Sequence, residues 1–306
     1  MTASPPRMAG PFCLSNLSLF ISCIAIWGST WLAITFQLGS VAPEASVFYR
    51  FLLASLLLFA FCRVRGLNLA YSRRQHLALA AQGLLMFSVG YVMVYYAEGY
   101  VVSGLVAVGY SASPLLNMLG VRLCFGTPMS LRVTIGALLG IAGITIVFWP
   151  EFGKMSSDGN VALGALYTAL AVIISAAGSV LASRNQKLGL PVWQTMAWGM
   201  LYGAMFSLCF AMIAGKKLGF EFTVPYALSL LYLAVFGSIF AFAGFLTLIG
   251  RIGAARASYV GVMVPIVALV ISALFEHYAW HAETWIGIAV SLAGNVIILR
   301  KAHEPA

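Results

Sequence analysis

The feature that most constrains this chain is a series of ten apolar runs, each about 18 to 24 residues long and nearly free of charge. Their limits are 17–38, 44–62, 76–97, 101–121, 132–149, 161–182, 192–214, 226–249, 254–275 and 283–300. A helix rises about 1.5 Å per residue, so each run can cross a hydrocarbon layer about 30 Å thick. Lipid offers no water to backbone N–H and C=O groups, so a spanning segment of this length must satisfy them as a helix. The connections leave no room for a soluble domain. The expected fold class is all-α, a polytopic membrane protein of ten transmembrane helices. Charged residues make up only 8% of the 306. Soluble domains carry about a quarter, so most of this surface faces lipid.

The formal net charge is +9, but the basic residues sit in short loops rather than on an aromatic-studded basic face, which argues against a nucleic-acid partner. With the N-terminus placed inside, the inner segments hold Arg7, Arg63, Arg65, Arg73, Arg74, Arg122, Arg132, Arg184, Lys187, Arg251, Arg256, Arg300 and Lys301. The outer loops hold Lys154, Lys216 and Lys217, and Arg50 lies within a run. This bias predicts cytoplasmic N- and C-termini. The first run follows Arg7 without a clear cleavage site, so it reads as an uncleaved first helix rather than a signal peptide. The five cysteines are scattered, with no spacing that suggests a zinc site or a disulfide framework.

The chain also repeats itself. An offset of 151 carries Gly99 onto Gly250, Pro114 onto Pro265, Gly136 onto Gly287 and Gly143 onto Gly294. Nearer the start, Gly28-Ser29 aligns with Gly178-Ser179, and Pro43 with Pro191. A five-helix repeat is expected over 17–149 and 161–300, with a periplasmic linker at 150–160 and cytoplasmic tails at 1–16 and 301–306. Five is odd, so the second copy enters the membrane from the opposite side. Inverted repeats of this kind place a substrate site near the midplane, between the halves.

Trp27-Gly28-Ser29-Thr30 in the first run, Arg50-Phe51 in the second, the proline of the fourth and the glycine-rich fifth carry a resemblance. The chain resembles the drug/metabolite transporter superfamily, specifically the EamA-type ten-helix exporters, and is similar to the YddG-like amino-acid exporters within that group. The resemblance implies a bacterial inner-membrane carrier that moves small metabolites, often amino acids, outward by alternating access. The sixth run departs from the first: Ser175-Ala176-Ala177-Gly178-Ser179 has no tryptophan.

A proline inside a span frees a backbone carbonyl and kinks the helix. Pro114 and Pro265 are therefore expected as paired hinges. Beside Pro114, the residues Tyr110, Ser111 and Asn117 form the favoured site cluster. Trp27 shares a face with Trp31, and Tyr91 with Tyr95, with Tyr96 adding a third ring. Such faces either border a cavity or pack against neighbours. Ser175 and Ser179 form one stripe, read first as close packing. Gln194, Trp198 and Tyr202 form another, and Ser258 and Tyr259 precede Pro265. The cavity is expected between helices 1, 3, 4, 6, 8 and 9.

Arg50 is the one charge well inside a run, and a buried membrane charge is a functional hypothesis by default. Glu98 is its expected partner, as an outer gate or a static pair; Arg50 could instead attract a substrate carboxylate. His277 and His281 are four apart, in a turn expected to be solvated. Gly136 and Gly140 form a GxxxG motif that serves a dimer face or packing within the bundle. No carboxylate lies near the middle of a run, which favours facilitated diffusion or exchange over proton coupling. No nucleophile–base pair, phosphate loop or metal cluster points to an enzyme, cofactor or metal. The expected partners are a small-molecule substrate and the bilayer, with the chain a monomer or weak dimer.

Overall fold

The computed structural model describes residues 14–126, 131–155, 159–258, 260–278 and 280–299. Ten helical rods follow one another among these residues, with no strand. They are α1 (Asn16–Thr35), α2 (Pro43–Val64), α3 (Arg73–Glu98), α4 (Ser103–Phe125) and α5 (Leu131–Met155). The second five are α6 (Gly159–Lys187), α7 (Val192–Ile213), α8 (Val224–Ile252), α9 (Val260–Phe275) and α10 (Ala282–Leu299). Seven helices are long and apolar enough to cross a membrane among the described residues; α5, α9 and α10 contribute the shorter apolar stretches Thr134–Val147, Met263–Phe275 and Ala282–Gly294.

Helix ends follow local chemistry. Ser15 caps α1 by accepting from the Ser18 N–H. Ser72 and Gln75 form a reciprocal capping box at the start of α3, which satisfies two orphan donors at once. The α4 helix stops at Gly126, whose φ of 68° few side chains tolerate and whose N–H donates to the Arg122 carbonyl.

Two boundaries differ from expectation. The helix α5 continues past Trp149 through Pro150 to Met155, and α6 begins at Gly159, so most of the expected linker is helical. The run 254–275 is divided: a short helical turn, Ala254–Ala257, precedes α9.

Helix pairing has a two-fold pattern. α2 lies against α7, and α5 against α10; α1 contacts α9 as α6 contacts α4; α3 lies along α6 as α8 lies along α1. The α5–α10 crossing shows the sense of this relation. A Cβ on Gly143 would stand 2.5 Å from the Gly287 carbonyl oxygen, and one on Gly294 2.5 Å from that of Gly136. Gly143 thus faces Gly287 while Gly136 faces Gly294, so the helices run antiparallel with matched glycines in register. Small residues let membrane helices approach closely enough for backbone contact. Gly294 of α10 lies against the Gly136 and Gly140 backbone, while a Cβ on Gly140 itself would meet nothing within 4 Å.

Both third helices of the halves are interrupted by π-helical segments, Leu85–Val89 in α3 and Leu233–Phe240 in α8. A π segment shifts the hydrogen-bond register and turns side chains and carbonyls toward new neighbours. In α8 the Gly237 carbonyl accepts from Trp27 Nε1 at 3.1 Å, and Ser238 Oγ accepts from Arg50 Nε at 2.9 Å.

The prolines are handled differently. Before Pro114, α4 tightens into a 3₁₀ turn over Tyr110–Ala112 and restarts at Ser113, so Pro114 occupies a first turn, where no N–H is needed. Pro265 lies inside α9, with helix on both sides. The two meet through their i−4 residues: a Cβ on Gly261 would be 3.2 Å from the Tyr110 carbonyl oxygen.

Candidate functional site

A cavity opens between α1, α3, α4, α6, α8 and α9, the helices named by the sequence reading. Counting its open mouth, it holds about 820 Å³ of non-protein space. No charged side chain lines it.

The 3₁₀ turn sets the α4 wall. Residues three apart eclipse in a 3₁₀ turn, so Tyr110 and Ser113 share the cavity face, with Asn117 one α-turn further on. Ser111 is buried off that face, and Ser113 takes the place expected for it. The Tyr110 hydroxyl pairs with Ser175 Oγ at 3.1 Å, joining α4 to α6 across the wall. Asn117 Nδ2 donates to the Ser113 carbonyl at 2.9 Å, while its Oδ1 is buried with no partner among the described residues.

From α1, Trp27 and Trp31 both reach the cavity. Trp27 meets Phe242 and Phe245 edge-to-face, each at 5.1 Å between ring centroids. Trp31 meets the Tyr110 ring at 5.2 Å, and its Nε1 is buried without a partner among the described residues. Tyr91 of α3 and Ser175 and Ser179 of α6 complete the wall with Ser258, just before α9. The serine stripe thus faces the cavity and does not serve packing alone. Tyr259 lies outside the described residues.

Other expected residues are elsewhere. Tyr95 is fully buried and donates its hydroxyl to Gln37 Oε1 at 2.7 Å; Tyr96 donates to Glu44 Oε1 at 2.7 Å. Both tie the end of α3 to α1 and α2. Trp198 and Tyr202 stack on each other near His76: Trp198 Nε1 donates to the Leu69 carbonyl at 3.0 Å, and the Tyr202 hydroxyl bonds His76 Nδ1 at 2.8 Å. Four-residue spacing put them on one face of α7, but that face meets α2 and the start of α3. Gln194 is buried on α7 and does not line the cavity. His277 and His281 are exposed, and no cluster of three metal-ligating side chains occurs among the described residues.

Arg50 and Glu98 do not form the expected ion pair. Arg50 is 1% exposed and reaches Ser238, with its guanidinium 4.5 Å from the Tyr91 ring centroid. Glu98 lies seven residues beyond Tyr91, about 10 Å further along α3 at 1.5 Å per residue. Gly237 makes room for Arg50, since a Cβ there would lie 3.2 Å from Nη2.

The sequence reading missed Thr30, Met86, Phe242 and Phe245 on the wall. The aromatic and aliphatic members sit in helices that are apolar all round, where periodicity does not distinguish a lipid face from a cavity face.

Long apolar helices packed around a cavity lined by uncharged residues are compatible with a membrane transporter. Family comparison gives the same class. The model of the EamA-like transporter family matches residues 14–149 and again 162–300. The chain belongs to the EamA-like transporter family. It is 32% identical to the uncharacterized inner membrane transporter YedA of Escherichia coli K12, over 89% of this chain and 87% of that protein. It is 25% identical to the protein PecM of Dickeya dadantii, over 93% of this chain and 92% of that protein. A solved crystal structure, 17% identical, aligns with a TM-score of 0.73 over 95% of this chain and 99% of its own, a likeness of fold.

Proposed function

We propose that the protein exports small metabolites, amino acids first among them and aromatic ones included, across the bacterial inner membrane by alternating access. The two halves act as inverted five-helix repeats, with both termini cytoplasmic. The observation that carries the substrate class is the wall itself: uncharged, ringed by Trp27, Trp31, Tyr91, Tyr110 and Phe242, and supplied with hydroxyls from Ser113, Ser175 and Ser258. Two polar atoms on it lack partners among the described residues, the acceptor Asn117 Oδ1 and the donor Trp31 Nε1. An acceptor suits an ammonium group and a donor a carboxylate oxygen, while the rings take an apolar or aromatic side chain. A wall without lysine or arginine disfavours a substrate of net negative charge.

Rocking of the halves about the regions of Pro114 and Pro265 exposes the cavity alternately to each side. Counterflow in proteoliposomes against a panel of labelled amino acids tests this reading. Saturable exchange of aromatic or apolar amino acids is the expected result. Flux without saturation or counterflow identifies a passive pore, and exchange of none of them ends the amino-acid assignment. A second reading, export of lipophilic organic cations, is favoured by the same aromatic rings; including such cations in the panel separates the two.

A further inference from the structure

We propose that Glu98 is a proton-binding site that holds one end of the bundle closed. The end in question carries the α1–α2, α3–α4 and α9–α10 connections. Glu98, at the end of α3, is 7% exposed, and neither carboxylate oxygen has a hydrogen-bond partner among the described residues. The charged groups acting on it are Glu276, just past α9, and Arg50 of α2; Tyr95 of its own helix and Tyr110 of α4 also feel its field.

Glu276 is well supplied with donors. Its Oε2 accepts from Ser103 Oγ and Ser272 Oγ, each at 2.5 Å, and its Oε1 accepts from the Ser103 N–H at 3.3 Å. Those three donors satisfy the Glu276 carboxyl. Glu98 has no donor among the described residues, and a buried carboxyl without donors favours its protonated form. Environments that differ this much assign the proton to Glu98. Glu44 is also buried at this end; its Oε1 accepts from the Tyr96 hydroxyl at 2.7 Å while its Oε2 has no partner among the described residues, so Glu44 is the control carboxyl. Arg50 Nη1, buried without a hydrogen-bond partner among the described residues, is the cation that Glu98 would approach once ionised.

The sign of the coupling follows. An ionised Glu98 needs either water, which enters only if this end opens, or Arg50, which the closed packing keeps away. The closed state therefore binds one proton more than the open state, and rising pH shifts the population toward opening. The proton comes from, and returns to, the aqueous phase at this end. Glu98 lies at a helix end, so the expectation of no carboxylate near mid-span is unaffected. The opening step rests on the alternating-access reading; the proton itself does not.

The experiment is infrared difference spectroscopy on the reconstituted full chain, titrated from pH 5 to pH 9 about neutrality. A protonated-carboxyl C=O band at pH 7 is expected, well above the ordinary glutamate titration near pH 4.3, and it should vanish in Glu98→Gln. Absence of that band in the wild type, its survival in Glu98→Gln, or its loss in Glu44→Gln instead, overturns the proposal. In a second arm, Val101→Cys in a background without native cysteines is labelled with a membrane-impermeant maleimide. Divided at each pH by the rate for a free thiol, which itself rises as the thiolate forms, labelling should rise up to about tenfold per pH unit in the parent and stay flat in Glu98→Gln. Equal pH dependence in both overturns the closing role. If counterflow fails while the band behaves as expected, the transport reading falls and the proton site stands.

Discussion

Asn117 offers the cavity an unpartnered acceptor at little structural expense, because its one bond is a local turn to Ser113 within its own helix. Asn117→Ala should therefore leave thermal stability nearly unchanged. It should raise the KM for counterflow by roughly 10- to 100-fold, as expected for losing a hydrogen bond to a charged group worth about 1.5–3 kcal/mol. An unchanged KM removes Asn117 from the site. Trp31 sets the opposite case. Its Nε1 is a buried donor without a partner among the described residues, and such a donor costs about 1–3 kcal/mol when nothing satisfies it. Trp31→Phe should keep the ring contact with Tyr110 and hold or raise the melting temperature while weakening substrate affinity. A large drop in melting temperature would show that the indole is structural.

At the level of elements, the two prolines predict unlike outcomes. Pro114 occupies a first turn of restarted helix, so Pro114→Ala restores no interior hydrogen bond and should change stability little. Pro265 interrupts α9 from within, so Pro265→Ala can close a bond to Gly261 and stabilise the helix by up to about 3 kcal/mol. If α9 bends there during transport, the same substitution should slow exchange while raising the thermal midpoint. Faster exchange together with lower stability would deny the hinge. The π segments of α3 and α8 explain why Arg50 sits where it does: re-aimed Ser238 and the bare backbone of Gly237 receive it. Apolar periodicity gives no warning of such a segment, because adding one residue to a turn leaves the sequence apolar on both sides of it.

For the whole molecule, the basic loops predict an orientation that labelling can check. With native cysteines replaced, Lys216→Cys should react with an impermeant maleimide in intact cells, and Arg65→Cys only after permeabilisation; both positions are exposed. The reverse pattern would invert the topology and turn the proposed direction of export around. At this scale the α5–α10 crossing is antiparallel, with Gly143 against Gly287 and Gly136 against Gly294, as two inverted halves would require.

The apolar runs by themselves determined the all-helical membrane fold, because lipid leaves an unbroken 20-residue apolar segment few other ways to satisfy its backbone. The sequence also brought Trp27, Tyr91, Tyr110, Asn117, Ser175, Ser179 and Ser258 forward, and these line the cavity. Spacing along a helix states which residues share a face but not what that face meets. Only the tertiary structure showed that the face of Trp198 and Tyr202 meets His76 and that Phe242 closes over Trp27. It also decided where the charges sit. Arg50 and Glu98 are close enough in sequence pattern to suggest a pair, yet helix rise and a π segment hold them apart, and burial depends on every neighbouring element at once.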